Sequence, residues 1–380
     1  MKKKKVLVVV RSLKIGGMEK VAINLCDALA ELGHEAHLLS FKKSSSAIVP
    51  SNSNVHLHQI DIDRINRLTG IGFLYDLLIR IPLNLLIRKS GFIWRGYYTA
   101  PIFRWYLRVL ENRYGKFDKI IVRGQGTFEN LWRIHDQRVI ICLENVINLN
   151  PETWKGRFFA SALYHGKNIV CVSNGVQDNF ISFAKKVGIT AAKLNVISNP
   201  MPIEQIRTLA QEGEQNIPVE PYIINVARLV PQKNHRLLLK AYAQSGISEQ
   251  LVIVGSGPLK SELECFAKEL GIEQRVTFTG ELLNPYPWMK HARLFVLSSK
   301  IEGLGIVLIE SLACGTAVVS VDCPGGIRDV LVDEQKEFIS EMTEQALAKM
   351  IQKGVSRSLP IQEKWLTKFE AKSIASAFII

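Results

Sequence analysis

Arg-Leu-Phe-Val-Leu-Ser-Ser-Lys-Ile-Glu-Gly-Leu-Gly-Ile-Val-Leu-Ile-Glu-Ser-Leu-Ala-Cys-Gly, residues 293–315, is the stretch that decides the fold. Residues 294–297 form a short apolar run of the kind that becomes a strand buried on both faces. Gly303 and Gly305 then let the backbone bend and come close to a ligand. From Ile306 the apolar period changes to that of a helix, which Gly315 stops. A strand, a glycine loop and a helix start turn free N–H groups and a positive dipole end toward an anion. Glu302 and Glu310 flank that place. A carboxylate facing a phosphate is repelled, so both suit neutral hydroxyls, and an ionised Glu accepts hydrogen bonds from both members of a diol. An anion with a diol on either side describes ribose, diphosphate and sugar. The spacing alone fits equally well a plain strand–loop–helix unit with two solvated carboxylates.

Upstream, residues 221–234 read as a strand running into a loop that holds Arg228 and Lys233, followed by a helix from Leu237. Residues 251–254 are a strand ending in Gly255-Ser256-Gly257-Pro258. This is a broken dinucleotide fingerprint, because Lys260 stands at the third glycine position and Pro258 where the helix would start, which argues against NAD binding. Downstream, residues 317–321 are a strand leading to Gly325-Gly326 and Asp329, and residues 341–353 are helical. In the first half, residues 6–10, 18–32 and 35–40 alternate as strand, helix and strand, with Gly16-Gly17 ahead of the helix. That pair either admits a ligand to the backbone or makes an ordinary turn. Residues 119–122, 139–143, 168–173 and 193–197 are further strands, and 174–186 a helix. Residues 42–54 and 200–220, rich in Ser, Asn or Pro, read as a loop and as an interdomain connection.

These segments together resemble the retaining, GT4-type glycosyltransferases. Glu302 and Glu310, eight apart, are similar to that family's E-x7-E element, and Arg228 with Lys233 to its R-x4-K element. The resemblance implies a GT-B fold: two doubly wound, parallel-sheet, Rossmann-like domains facing across a cleft. Domain limits follow at residues 1–199 and 200–360, with a C-terminal helix at about 361–380 crossing back to the first domain. It implies that Glu302 holds the sugar hydroxyls, Glu310 the ribose diol, and Arg228 and Lys233 the diphosphate. The N–H groups of Gly303, Leu304, Gly305 and Ile306 assist, and Gly16 and Gly17 face the phosphates from the other side. Catalysis then falls to Glu302, Arg228 and Lys233, with no protein nucleophile. Two fixed cations can stabilise a leaving diphosphate, and no Asp-x-Asp box follows a strand, so no metal and no cofactor are expected. Gln125 and Glu144 lie where the family's loops line the acceptor side. A His often follows the second of those strands, whereas this chain has Glu144-Asn145, so Glu144 either contacts the transferred sugar or is a loop residue. The resemblance is specific over 221–330 and architectural elsewhere.

The chain has 380 residues, 47% hydrophobic and 22% charged, which suits two globular domains and not a disordered polymer. Its six cysteines show no C-x-x-C spacing, so neither a zinc knuckle nor a redox dithiol is indicated. The basic start carries only a short apolar run, too short for a signal-peptide core. A net charge of +13 calls for an anionic partner. Residues 64–113 concentrate it: Arg64, Arg67, Arg80, Arg88, Lys89, Arg95, Arg104, Arg108 and Arg113 against Asp76 and Glu111, interleaved with Leu, Phe, Trp and Tyr. That composition suits amphipathic helices on an anionic membrane, or ordinary helices packed on a sheet with solvated Arg. No nucleic-acid signature accompanies it.

The expectation is therefore a metal-independent retaining hexosyl- or N-acetylhexosaminyltransferase. It would use a nucleotide-diphosphate sugar, UDP-linked by preference, and a lipid-linked glycan or lipopolysaccharide-type acceptor. Its place would be cytoplasmic, peripheral on the inner membrane face, with no nucleic-acid partner. A non-catalytic nucleotide-sugar-binding protein and a GT-B phosphorylase or epimerase are the alternatives.

Overall fold

A computed structural model describes residues 3–13, 16–43, 48–87, 90–124, 126–213, 217–357 and 359–380. The chain divides into two compact units. Unit 1 holds Met1–Val172, Val176–Pro200 and Ala371–Ile380, and unit 2 holds Ser173–Gly175 and Met201–Glu370.

Unit 1 is built on seven strands: β1 (Lys5–Val10), β2 (Glu35–Ser40), β3 (His56–Gln59), β4 (Lys119–Val122), β5 (Val139–Leu143), β6 (Asn168–Cys171) and β7 (Lys193–Val196). All pair in parallel, in the order β3-β2-β1-β4-β5-β6-β7. Val6 to Val9 are wholly inaccessible, as a strand covered by helices on both faces must be. The helix Gly17–Glu31 lays Ala22, Leu25, Cys26 and Leu29 on this sheet, a spacing of three and four that makes one continuous stripe. Ile374, Ala375 and Phe378 of the last helix, Ala371–Ile379, join the same core.

Unit 2 has six strands: β8 (Tyr222–Val226), β9 (Gln250–Val254), β10 (Val276–Gly280), β11 (Leu294–Leu297), β12 (Val318–Val321) and β13 (Ile339–Ser340). They too are all parallel, in the order β10-β9-β8-β11-β12-β13. The C-terminal crossing comes at Glu370–Ala371, later than the 361 expected. Trp365, Leu366 and Phe369 are fully buried, and the Met201 N–H bonds to the Phe369 carbonyl at 2.8 Å, which holds this stretch in unit 2. Two short edge strands, β3 and β13, are additions to the elements read from the sequence. Cys26, Cys142, Cys171, Cys314 and Cys323 are buried free thiols, and Cys265 is exposed.

Candidate functional site

In a doubly wound sheet, ligands gather at the carboxyl ends of the strands where the strand order reverses. In unit 2 that reversal lies between β8 and β11, whose residues pair as Leu294 with Ile223 and Phe295 with Ile224. The loop after β8 carries Arg228 and Lys233, and the loop after β11 carries Glu302. Topology therefore brings together residues about seventy positions apart in the chain.

Lys233 is fixed from several sides. Pro231–Lys233 makes a single 3-10 turn, and Asn234 follows in the left-handed region, at φ 52°. Asn is one of the few non-glycine residues that adopt this conformation readily, and its αL turn starts the helix His235–Ser245. Ser298 Oγ donates to the Lys233 carbonyl at 3.0 Å, Lys300 N–H to the Gln232 carbonyl at 2.8 Å, and Gln232 Nε2 to the Ile301 carbonyl at 3.0 Å. The two loops are thus laced into one surface. On it Lys233 Nζ lies 2.6 Å from Glu302 Oε1, with both side chains largely buried. Arg228 is exposed, and its guanidinium has no ion-pair partner among the described residues.

Gly305 caps the helix Ile306–Ala313 at φ 85°, a left-handed position that favours glycine. Leu304 and Gly303 precede it, buried, and the first N–H groups of the helix, including that of Ile306, have no intrahelical acceptor. The loop cannot drift. Glu302 N–H donates to the Pro324 carbonyl at 3.1 Å, and a Cβ on Gly325 would collide with the Glu302 carbonyl at 1.5 Å. Ser173, which counts with unit 2, donates its hydroxyl to the Gly303 carbonyl at 2.7 Å. The Gly325-Gly326 pair is a packing requirement of the Glu302 loop.

Gly255 and Gly257 serve the neighbouring loop in the same way. A Cβ on either would come within 2.0 Å and 2.4 Å of the Ala227 and Leu229 carbonyls, and Leu229 N–H donates to the Ser256 carbonyl at 2.8 Å. The broken fingerprint thus seats the Arg228 loop. Glu310, half-buried in the second turn of its helix, accepts from the Tyr286 hydroxyl at 3.0 Å. Burial, and then the Glu310 charge, push the Tyr286 hydroxyl far above its usual range, so it remains a donor. Nothing in the sequence singled out Tyr286, whose only signal is its place in the segment between β10 and β11.

In unit 1 the corresponding reversal lies between β1 and β4. Gly16, extended at φ −177°, caps the helix that Gly17 begins. Arg123, at the end of β4, is wholly buried. Its guanidinium donates to Glu144 Oε1 at 2.8 Å and to Asn199 Oδ1, while its Nη1 has no hydrogen-bond partner. The Glu144 carboxylate is thereby engaged by Arg123. Glu129 accepts from the Gly126 N–H, and burial raises its carboxyl to about 7. Gln125, together with Arg88 and Lys89, lies outside the described residues.

In the helices between residues 62 and 86, Leu68, Ile71, Leu78, Leu85 and Leu86 are each at least two-thirds exposed. Among the described residues no single helix is long and apolar enough to cross a membrane. The helices Ile62–Leu68 and Ile71–Leu86, bent by 105°, reach that length and composition only together.

Against known proteins, residues 15–205 match Glycosyltransferase Family 4 and residues 209–366 match Glycosyl transferases group 1. The chain is 27% identical over 338 residues to the N-acetylgalactosamine-N,N'-diacetylbacillosaminyl-diphospho-undecaprenol 4-alpha-N-acetylgalactosaminyltransferase of Campylobacter jejuni, covering 87% of this chain and 84% of that protein. It is 27% identical over 168 residues to the lipopolysaccharide 1,6-galactosyltransferase of Salmonella typhimurium, covering 43% of this chain and 45% of that one. Among solved structures, Anabaena Alr3699/HepE in complex with UDP-glucose superposes with a TM-score of 0.68 at 20% identity, over 99% of this chain and 98% of that chain. WaaG, a glycosyltransferase involved in lipopolysaccharide biosynthesis, does so with a TM-score of 0.63 at 14% identity, over 98% and 95%. The fold is GT-B.

Proposed function

The chain belongs to Glycosyltransferase Family 4, and from that membership we propose that it moves a hexosyl or N-acetylhexosaminyl residue, with retention, from a UDP-sugar to a lipid-linked glycan or lipopolysaccharide-type acceptor. The observation that carries this reading is the Lys233–Glu302 pair, with the exposed Arg228 on the same loop as Lys233, together with the start of the helix Ile306–Ala313. A ligand that takes the place of that pair must offer negative charge to Lys233 and hydroxyls to Glu302. A sugar 1-diphosphate offers both. Glu310 with Tyr286 then supplies a polar patch for the ribose diol, with Tyr286 orienting the carboxylate.

As the glycosidic bond breaks, charge grows on the departing diphosphate. Lys233 and the N–H groups at residues 303–306 meet that charge from fixed positions, and the exposed Arg228 adds a second cation, so little reorganisation is needed. The acceptor hydroxyl attacks from the face the diphosphate leaves, which preserves the anomeric configuration without a protein nucleophile. Cations in this place take over the role of a divalent metal, so no metal is required for donor binding. The acceptor class is supported by the diphospho-undecaprenol in the relative's name. It is supported also by the exposed apolar and basic segment 64–113, which suits a peripheral seat on an anionic inner-leaflet surface. Its place in the cell is then the cytoplasmic face of that membrane.

The test is turnover of a UDP-hexose and UDP-N-acetylhexosamine panel with a short-chain polyprenyl diphosphate-sugar acceptor in vesicles, in the presence of EDTA. UDP release that depends on acceptor, with an axial-to-axial α-linked product by NMR, is expected. UDP release without acceptor, or an inverted anomer, overturns the reading.

A further inference from the structure

Along a strand, residues i and i+2 face the same side of the sheet. Glu35 and His37 are so placed on β2, and His56 and His58 on the neighbouring edge strand β3. The register sets His37 opposite His56, so all four side chains share one face. Three of the chain's eight His residues meet there. His37 Nδ1 lies 2.9 Å from His58 Nε2, and His37 Nε2 lies 3.2 Å from Glu35 Oε1. The His37 and His56 rings are 4.6 Å apart, and one donor atom each from Glu35, His37 and His56 fall within 4.8 Å of one another. The Tyr114 ring stands edge-on to His37 at 4.8 Å and covers the group from one side, while His56 leaves it open on the other.

We propose that Glu35, His37 and His56 form a binding site for a borderline divalent cation of the zinc type. Two imidazole nitrogens with one carboxylate oxygen are donors such an ion takes, and a water completes its tetrahedral shell. Adjacent strands supply those donors from rigid backbone, and His58, on the other nitrogen of the His37 ring, orients that ring. Lys5, whose Nζ lies 3.4 Å from Glu35 Oε1, is the cation that a bound dication displaces. The three residues sit at the start of β2 and β3, at the opposite end of the sheet from the loops that bear Gly16, Arg123 and Glu144. The site is therefore separate from the transfer chemistry. It fastens the short edge strand β3 to the sheet.

The full chain, stripped with chelator, is titrated with ZnCl2 and with CoCl2. One equivalent of Zn2+ should bind and raise the thermal midpoint, Mg2+ should not, and Co2+ should develop the visible absorption of a tetrahedral N/O complex. His56→Ala, a change at an exposed position, should bind Zn2+ at least tenfold more weakly while its metal-free midpoint and its sugar-transfer rate stay those of the parent. Glu35→Gln gives an independent second loss. The absence of a Zn2+-dependent shift, or equal affinity in both variants and the parent, overturns the proposal.

Discussion

The loops after β8 and β11 and the helices between residues 62 and 86 both carry cations, and they treat them in opposite ways. Around Lys233 and Glu302 every loop is held by backbone hydrogen bonds and by glycines that admit no side chain. Between residues 68 and 86 apolar side chains themselves reach solvent, with Leu86 79% and Ile71 81% exposed, and Arg80 pairs with Asp76 on the same helix. A fixed charge stabilises a fixed ligand. A loose, apolar and basic surface fits a fluid one. Composition alone does not separate these cases, but burial does.

The comparison can be broken most forcefully at its rigid end. Lys233→Ala removes a cation and strands the largely buried Glu302 carboxylate, so turnover should fall by about 10²–10³-fold. Steady-state UDP release measures this, and a loss below tenfold would mean that the pair is only structural. At the loose end, Leu78, Leu85 and Leu86 changed together to Ser should reduce partition onto vesicles containing anionic lipid by more than tenfold. The thermal midpoint should hardly move, because exposed side chains contribute little to the folded state. Co-sedimentation reads the first and calorimetry the second. Unchanged sedimentation would return the segment to ordinary solvated helices.

Smaller effects sharpen the contrast. Glu310→Ala should weaken donor binding by about 1–3 kcal/mol, and Tyr286→Phe by about 1 kcal/mol through lost orientation of the same carboxylate. If Tyr286→Phe cost more than Glu310→Ala, the tyrosine and not the glutamate would be the ligand contact. The pH response of Glu129 is subtler. Its folded value, raised to about 7 by burial, exceeds the unfolded one. The stability this confers is complete below about pH 4.5 and is lost as pH rises toward and through 7. Glu129→Gln keeps an acceptor for the Gly126 N–H and lacks the titration. It should therefore gain on the order of 2 kcal/mol over the parent between pH 5 and pH 8, read from denaturant midpoints.

Much of this molecule was legible from residue order. Apolar runs of four or five residues alternating with periodic helices gave both parallel sheets, and the Arg228, Lys233, Glu302 and Glu310 pattern pointed to one end of one of them. What escaped was set by neighbours distant in sequence. β3 reads His-Leu-His-Gln, which lacks the apolar character of a central strand because it lies at an edge. β13 is two residues long. The contact of Lys233 with Glu302 depends on strand order, which residue spacing does not contain. Arg123, just after β4, is buried because Glu144 and Asn199 converge on it, and its position in the chain does not show that. The Gly255 and Gly257 pair was visible, but its purpose needed the Ala227 and Leu229 carbonyls to be in view.

The central claim is that the exposed guanidinium of Arg228 and its neighbours form the seat of a nucleotide diphosphate. Isothermal titration of UDP into the parent chain and into Arg228→Ala, in EDTA, addresses it without needing to know the sugar or the acceptor. Saturable one-to-one binding in the parent, weakened at least tenfold by the substitution at unchanged thermal midpoint, is the predicted result. Equal affinity in the two proteins, or no binding by the parent, would contradict it.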